Sequence, residues 1–248
     1  MRFKPNREKV LRIVAGARRV LLPSFLVAGL LTAVSFCFSR ALILFLTHHV
    51  GVTLYYFNLS EVFFSSVEIA LYTGIFFSVP VIALIVWREF HGELRQRLLH
   101  GPLFVVSSIF LFYLGSVFCY LVVLPSGITF LLSYQGGPVK AMISTERFVH
   151  FCVSMIFAFG AAFELPVLLL VLGKLGVVSY RTLSRTRRYA VLIIVIAASV
   201  ITPTPDIYNM SLLAVPLYVL YEIGILLMRM GERGLAGKDE LTAKHKPV

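Results

Sequence analysis

The chain has 248 residues, of which 58% are apolar and 14% charged, where a soluble globular domain carries about 25% charged residues. Together with a mean hydropathy of +0.88, this excludes an ordinary soluble fold. The net charge of +11 is divided among the segments between apolar runs rather than gathered on one face, so it points to membrane topology and not to nucleic acid.

The long apolar runs lack alternation at period two, which predicts an all-α polytopic membrane protein and not a barrel. Residues 1–19 form a basic segment, and the first span is expected at about Val20–Phe38, with Pro23 tolerated in its first turn. The run is long and more spans follow it, so no cleavable signal peptide is expected. The loop at about Arg40–Ser65 is aromatic and is expected to pack as short interfacial helices. A second span, about Ser66–Trp87, is interrupted by Pro80. The polar loop Arg88–Gly101 carries Glu89, Glu93, Arg95 and Arg97.

Pro102 opens a third span, expected to stop at Pro125-Ser126-Gly127. Residues 125–147 then read as a second outer loop with the turn signal Gly136-Gly137-Pro138. The fourth span runs from about Phe148 to Leu172. After a basic loop, the fifth, Tyr189–Ile201, offers only ~20 Å of helix. Thr202-Pro203-Thr204-Pro205-Asp206 forces a tight turn, in which Asp206 can cap the next helix. The sixth span, about Met210–Met228, is kinked at Pro216. The domain plan is a basic segment 1–19, one transmembrane domain 20–228 and a polar tail 229–248.

Lysine and arginine number 7, 3, 5 and 5 in the N-terminal segment, second loop, fourth loop and tail, against 1, 2 and 0 in the alternate loops. That asymmetry predicts six spans with both termini on the cytoplasmic side. No inverted repeat of broken helices is visible, which counts against common secondary-transporter plans.

The stretch Phe157–Val167 holds the sequence's sharpest signal. Glu164 lies well inside an apolar span, where an ionised carboxylate costs at least a few kcal/mol without water, a partner or a proton. Pro166 lacks an N–H, so the carbonyl of Ala162 loses its helical partner. Gly160, Ala161 and Ala162 let another helix or a substrate approach closely, with Phe163 beside them. One alternative is a glutamate that only holds the bundle together. Another is a proton-coupled small-molecule or ion carrier with Glu164 as its coupling acid.

Enzymatic chemistry finds little support. His48 and His49 are adjacent and point to different faces, and no His, Cys, Asp or Glu set has zinc-like spacing. Phosphate-binding glycine loops are absent, and Ser126 and Ser133 have no recognisable base near them in sequence. No metal and no cofactor are expected. Cys37, Cys119 and Cys152 fall in three apolar spans and read as packing residues. Glu68 near the outer end of span two either snorkels or is functional. Glu222 can pair with a base such as Arg229 or face a partner helix.

Phe157–Val167, Arg187-Arg188-Tyr189-Ala190, the turn Thr202–Asp206, and Leu213–Pro216 leading to Leu220–Gly224 together resemble the TatC family, the multispanning core of the twin-arginine protein translocase. The resemblance runs from about Pro80 to Met228. It implies a concave six-helix bundle with short fifth and sixth helices in a bacterial inner membrane. It implies a receptor for twin-arginine signal peptides that works with TatA- and TatB-type single-span partners. Folded cargo would be exported by the proton-motive force, from a complex holding more than one copy of the chain. It also places Glu164 on a polar mid-membrane face, and partner docking near Pro205, Asp206, Pro216, Tyr221 and Glu222.

The family's signal site lies on the cytoplasmic surface, and there this chain departs from the pattern. The family's N-terminal Glu falls on Ala15 and its Arg on Ala17, followed by Arg18 and Arg19. The loop glutamate falls on Gln96, with Arg97 after it. Two guanidinium groups call for carboxylates, so the expected pairing acid is Glu93, with Glu89 or Glu8. The plainer reading of Glu8 is a surface salt bridge to Arg12.

Overall fold

The structure, a computed structural model, describes residues 7–50, 52–94, 101–133, 142–174, 178–201 and 207–244. It is built almost wholly of helices. α1 (Arg7–Cys37) and α2 (Ser39–Val50) precede a two-residue strand, β1 (Leu54–Tyr55), and α3 (Leu59–Leu94). α4 (Gly101–Phe118) passes through a π-helical turn at Cys119–Val123 into α5 (Leu124–Ser133). After β2 (Ile143–Ser144) come α6 (Thr145–Phe163), α7 (Leu165–Lys174), α8 (Tyr180–Arg185), α9 (Arg187–Ile201) and α10 (Ile207–Lys244).

Among the described residues five stretches are long and apolar enough to cross a membrane: Arg19–Cys37, Ser60–Ile85, Val105–Ser133, Thr145–Gly173 and Met210–Met230. α9, where the fifth span is expected, has 15 residues or about 22 Å. Two expectations need correction. The sixth helix is not short: its apolar part alone is 21 residues, about the length that spans a hydrocarbon core. The third span does not stop at Pro125 but continues to Ser133. The reason lies in the π turn, where the Leu124 N–H reaches back five residues to the Cys119 carbonyl. A turn widened by one residue relieves the clash that a proline ring makes with the preceding turn.

The core centres on α6. Val149, Cys152 and Phe159 are fully buried, against Cys119, Leu213 and Ala198 from neighbouring elements. Outward-facing side chains stay apolar, as in Leu21, Leu22, Phe25, Leu26 and Leu30 of α1, which suits lipid as solvent. α1 and α3 pack so closely that a methyl group at Gly74 would lie 2.5 Å from the backbone nitrogen of Thr32.

Between residues 40 and 65 the structure has the short helix α2 and a feature periodicity did not suggest. β1 and β2 pair in parallel, Leu54 with Ile143 and Tyr55 with Ser144. Glu61 on α3, buried, clamps this pair: its carboxylate accepts the Phe57 N–H at 3.3 Å and the Ser144 hydroxyl at 3.2 Å. Thr145 Oγ1 donates to the Tyr55 carbonyl at 3.2 Å. Glu68 is not merely extended toward solvent, since it meets His150 Nδ1 of α6.

Candidate functional site

Glu164 occupies the single-residue break between α6 and α7. The break follows from Pro166, whose missing N–H prevents the helix from continuing unaltered. Here the Glu164 N–H turns back to the Ala161 carbonyl at 3.2 Å and to Ala162, and Leu168 N–H restarts the ladder on the Glu164 carbonyl at 2.9 Å. Ala162, predicted to lose its partner, is thus reached by the capping N–H.

The Glu164 carboxylate is half-buried and is held by one group that sequence reasoning missed. The Ser108 hydroxyl on α4 lies 2.8 and 2.9 Å from its two oxygens, sharing one proton between them. A carboxylate accepts more hydrogen bonds than that, so among the described residues it keeps lone pairs for water or for a donor from a passing chain. The only available signal for Ser108 was a hydroxyl pair, Ser107-Ser108, in an otherwise apolar span, and serine is common in such spans without function.

Small residues fix the α4–α6 crossing that brings Ser108 to Glu164. A methyl group on Gly160 would meet Ser116 Oγ at 2.6 Å and the Phe112 ring at 2.9 Å. Phe163 is buried and leans on Phe118, ring centroids 5.9 Å apart. Pro166 is fully buried, its Cα 3.3 Å from where a Cβ on Gly224 of α10 would stand. An apolar cleft of about 310 Å³ lies between α2, α3, α4 and α6, lined by Phe45, Tyr72, Phe76, Tyr120 and Phe157 among others.

A second cluster joins α8, α9 and α10. Glu222 accepts from Arg187 at 2.9 Å and from the Tyr218 hydroxyl at 3.1 Å. The base that meets it is therefore Arg187, on the short helix, and not Arg229. Tyr221 is buried, and its hydroxyl donates to the Leu183 carbonyl at 2.9 Å. Pro216 lies inside α10, while Pro205 and Asp206, with the turn they belong to, lie outside the described residues.

The signal-peptide candidates are less visible. Glu8, Arg18 and Arg19 fall on α1, and Glu89 and Glu93 on the C-terminal end of α3. Arg19 is exposed. Gln96 and Arg97 lie outside the described residues.

Comparison with known proteins gives this arrangement its context. The profile of the family described as Sec-independent protein translocase protein (TatC) matches residues 13–216. The Sec-independent protein translocase protein TatC of Desulforapulum autotrophicum is 32% identical over 92% of this chain and 87% of its own length. That of Deinococcus radiodurans is 39% identical over 66% of this chain and 62% of its own. The crystal structure of the twin arginine translocase receptor TatC superposes with a TM-score of 0.75 at 29% identity, covering 87% of this chain and 98% of that one. A family match over most of the chain, carried by the same helical fold, makes this protein a member of the TatC family: a membrane transport component of the Sec-independent protein translocase and not an enzyme.

Proposed function

We propose that this chain is the signal-peptide receptor and core subunit of a twin-arginine translocase, placed in the bacterial inner membrane with six crossings and both termini in the cytoplasm. α9 makes the fifth crossing despite its length, by thinning the bilayer around it. Residues 1–19 and 229–248 lie on the cytoplasmic side, flanking the transmembrane domain. The lysine and arginine asymmetry between alternate loops supports that orientation.

In this reading the twin arginines of a cargo signal peptide meet Glu93, assisted by Glu89 or Glu8, with Gln96, Arg97, Arg18 and Arg19 around them. TatA- and TatB-type single-span partners dock along α9 and the adjoining part of α10, near Pro205, Asp206, Pro216, Tyr221 and Glu222. More than one copy of the chain works in the complex, and the proton-motive force drives export of folded cargo. Glu164, with Gly160, Phe163 and Pro166, forms a polar station part-way through the membrane.

The observation that carries the reading is Glu164 itself: a half-buried carboxylate, held among the described residues by one hydroxyl, at a break between α6 and α7. A purely structural acid would be expected to have its hydrogen bonds filled. The test is export of a folded reporter bearing a twin-arginine signal, in a strain lacking its own TatC. Wild-type chain restores export together with compatible partners. Glu164→Ala abolishes it while membrane levels hold, and Glu93→Lys abolishes crosslinking to the signal peptide. Full export with Glu164→Ala would defeat the role given to that acid, and unchanged crosslinking would reject Glu93.

A further inference from the structure

Pro80 lies inside α3. Its ring nitrogen carries no hydrogen, so the carbonyl of Phe76, four residues earlier, has no helical donor. In a membrane such a carbonyl must be satisfied from elsewhere, and a donor on a neighbouring helix is one way in which spanning helices tolerate proline. Here the donor is Tyr113 of α4, whose hydroxyl lies 3.2 Å from the Phe76 carbonyl. The same tyrosine ring meets the Phe76 ring edge-on, centroids 4.9 Å apart. One residue away, the Ser78 hydroxyl folds back on the Ile75 carbonyl at 2.7 Å, a contact that favours helix bending.

α4 therefore carries two attachments within six residues. Tyr113 holds α3 where it is interrupted, and Ser108 holds Glu164 where α6 is interrupted. Phe112 lies between them against both Phe76 and Phe157, at 5.6 and 5.9 Å. The part of α3 beyond Pro80 ends in Glu89 and Glu93.

We propose that Tyr113 is a positioning residue: its hydroxyl replaces the N–H missing at Pro80 and so fixes the angle at which the second half of α3 leaves the bundle. Its consequence for Glu89 and Glu93 rests on the receptor reading above. With the clasp in place, the end of α3 that carries Glu89 and Glu93 is held at a fixed angle to α4, the same helix that holds Glu164. Without it, α3 swings about Pro80 and the acids are presented loosely.

The experiment uses the full chain in lipid nanodiscs with Cys37 replaced by Ser, the two other cysteines being buried. Spin labels are placed at Phe63 and Arg88, exposed positions on either side of the kink and roughly 37 Å apart along a straight helix. Tyr113→Phe keeps the ring and removes only the hydroxyl. It should broaden the distance distribution and weaken binding of a twin-arginine peptide about three- to tenfold, the range expected for loss of one hydrogen bond.

Pro80→Ala supplies the missing N–H, so in that background Tyr113→Phe should change neither quantity. A loss of ring packing or of overall fold would act equally in both backgrounds. An unchanged distance distribution in Tyr113→Phe, or equal broadening with and without Pro80, would overturn the clasp. Broadening without any change in peptide affinity would overturn its link to the acids. Failure of the wild-type chain to bind the peptide at all strikes the receptor reading, while the distance measurement still decides the clasp.

Discussion

Gly115 and Gly160 face the same crossing from opposite sides, yet they should respond very differently to one added methyl group. A Cβ on Gly115 would stand 2.7 Å from the Phe159 carbonyl oxygen and 2.6 Å from Phe163 Cγ. Ordinary contact begins near 3.4 Å, so α4 and α6 must part by about 0.7 Å, and a backbone carbonyl inside a helix cannot swing aside. At Gly160 the nearest atom is the Ser116 hydroxyl, 2.6 Å away, followed by the Phe112 ring edge at 2.9 Å. The hydroxyl is the end of a rotatable side chain, although it then gives up its bond to the Phe112 carbonyl at 2.9 Å. Overpacking costs about 1–3 kcal/mol, and replacing glycine by alanine in a helix returns about 1 kcal/mol. Gly115→Ala should therefore lose about 2 kcal/mol net and Gly160→Ala close to nothing. For a chain of this size the first loss lowers the melting temperature by roughly 4–8 °C, measured in detergent by circular dichroism. Because the same crossing sets the reach of Ser108 to Glu164, Gly115→Ala should also lower export of the reporter. A larger fall for Gly160→Ala than for Gly115→Ala would refute the argument, since the two differ only in which neighbour can yield.

Ser108→Ala should destabilise the chain by about 1–2 kcal/mol, the loss of a hydrogen bond to a charged group in a partly open site, and Ser108→Thr should restore most of it. A melting temperature unchanged in Ser108→Ala would mean that water already replaces the hydroxyl. Tyr221→Phe should loosen α8 from α10 and Glu222→Ala the start of α9 from α10, each read as faster trypsin cleavage after the exposed Arg185. The effect of Glu222→Ala should be the smaller of the two, because exposed ion pairs contribute little. Cysteines at Leu54 and Ile143 should form a disulfide on oxidation, since paired strand positions fall within the required Cα separation. Leu54 paired with a cysteine at Ser144 should crosslink poorly, and equal yields would contradict the register. Glu61→Ala should reduce the first yield severalfold by removing the bonds to Phe57 and Ser144 that clamp the pair.

Much of the helical plan was legible because lipid enforces it. Spans must be apolar over about 20 residues. The break at Glu164 could be placed because an acid and a proline two residues apart interrupt both the apolar run and the hydrogen-bond ladder at one point. The shortness of α9 was visible by counting, since Arg188 and Thr202 bracket it. The apparent shortness of the sixth helix was not real, because the apolar stretch continues past Met228 to Met230 and α10 runs on to Lys244. Pro125 misled for a physical reason: proline predicts an end only if the turn before it is α-helical, and a π turn leaves no mark in composition. Ser108, Glu61 and Tyr113 could not be assigned at all. Their partners lie 56, 83 and 37 residues away, and neither hydropathy nor periodicity carries information about pairing at that range. Glu164 stands out as an acid inside an apolar run without any family resemblance, but the hydroxyl that holds it is read from the packing of α4 on α6.

The parallel pairing of Leu54–Tyr55 with Ile143–Ser144 also constrains how the chain is assembled. The connection between the strands includes α3 and the α4–α5 helix, two potential crossings. The strands can therefore meet on one side only if both crossings are made or neither is. A chain in which one of the two fails to insert leaves the strands on opposite sides of the bilayer, with their ladder unformed and Glu61 deprived of Ser144. The ladder thus works as a parity check on biogenesis, completed late because it closes a long loop, and a mis-inserted chain announces itself by an unpaired edge open to proteolysis.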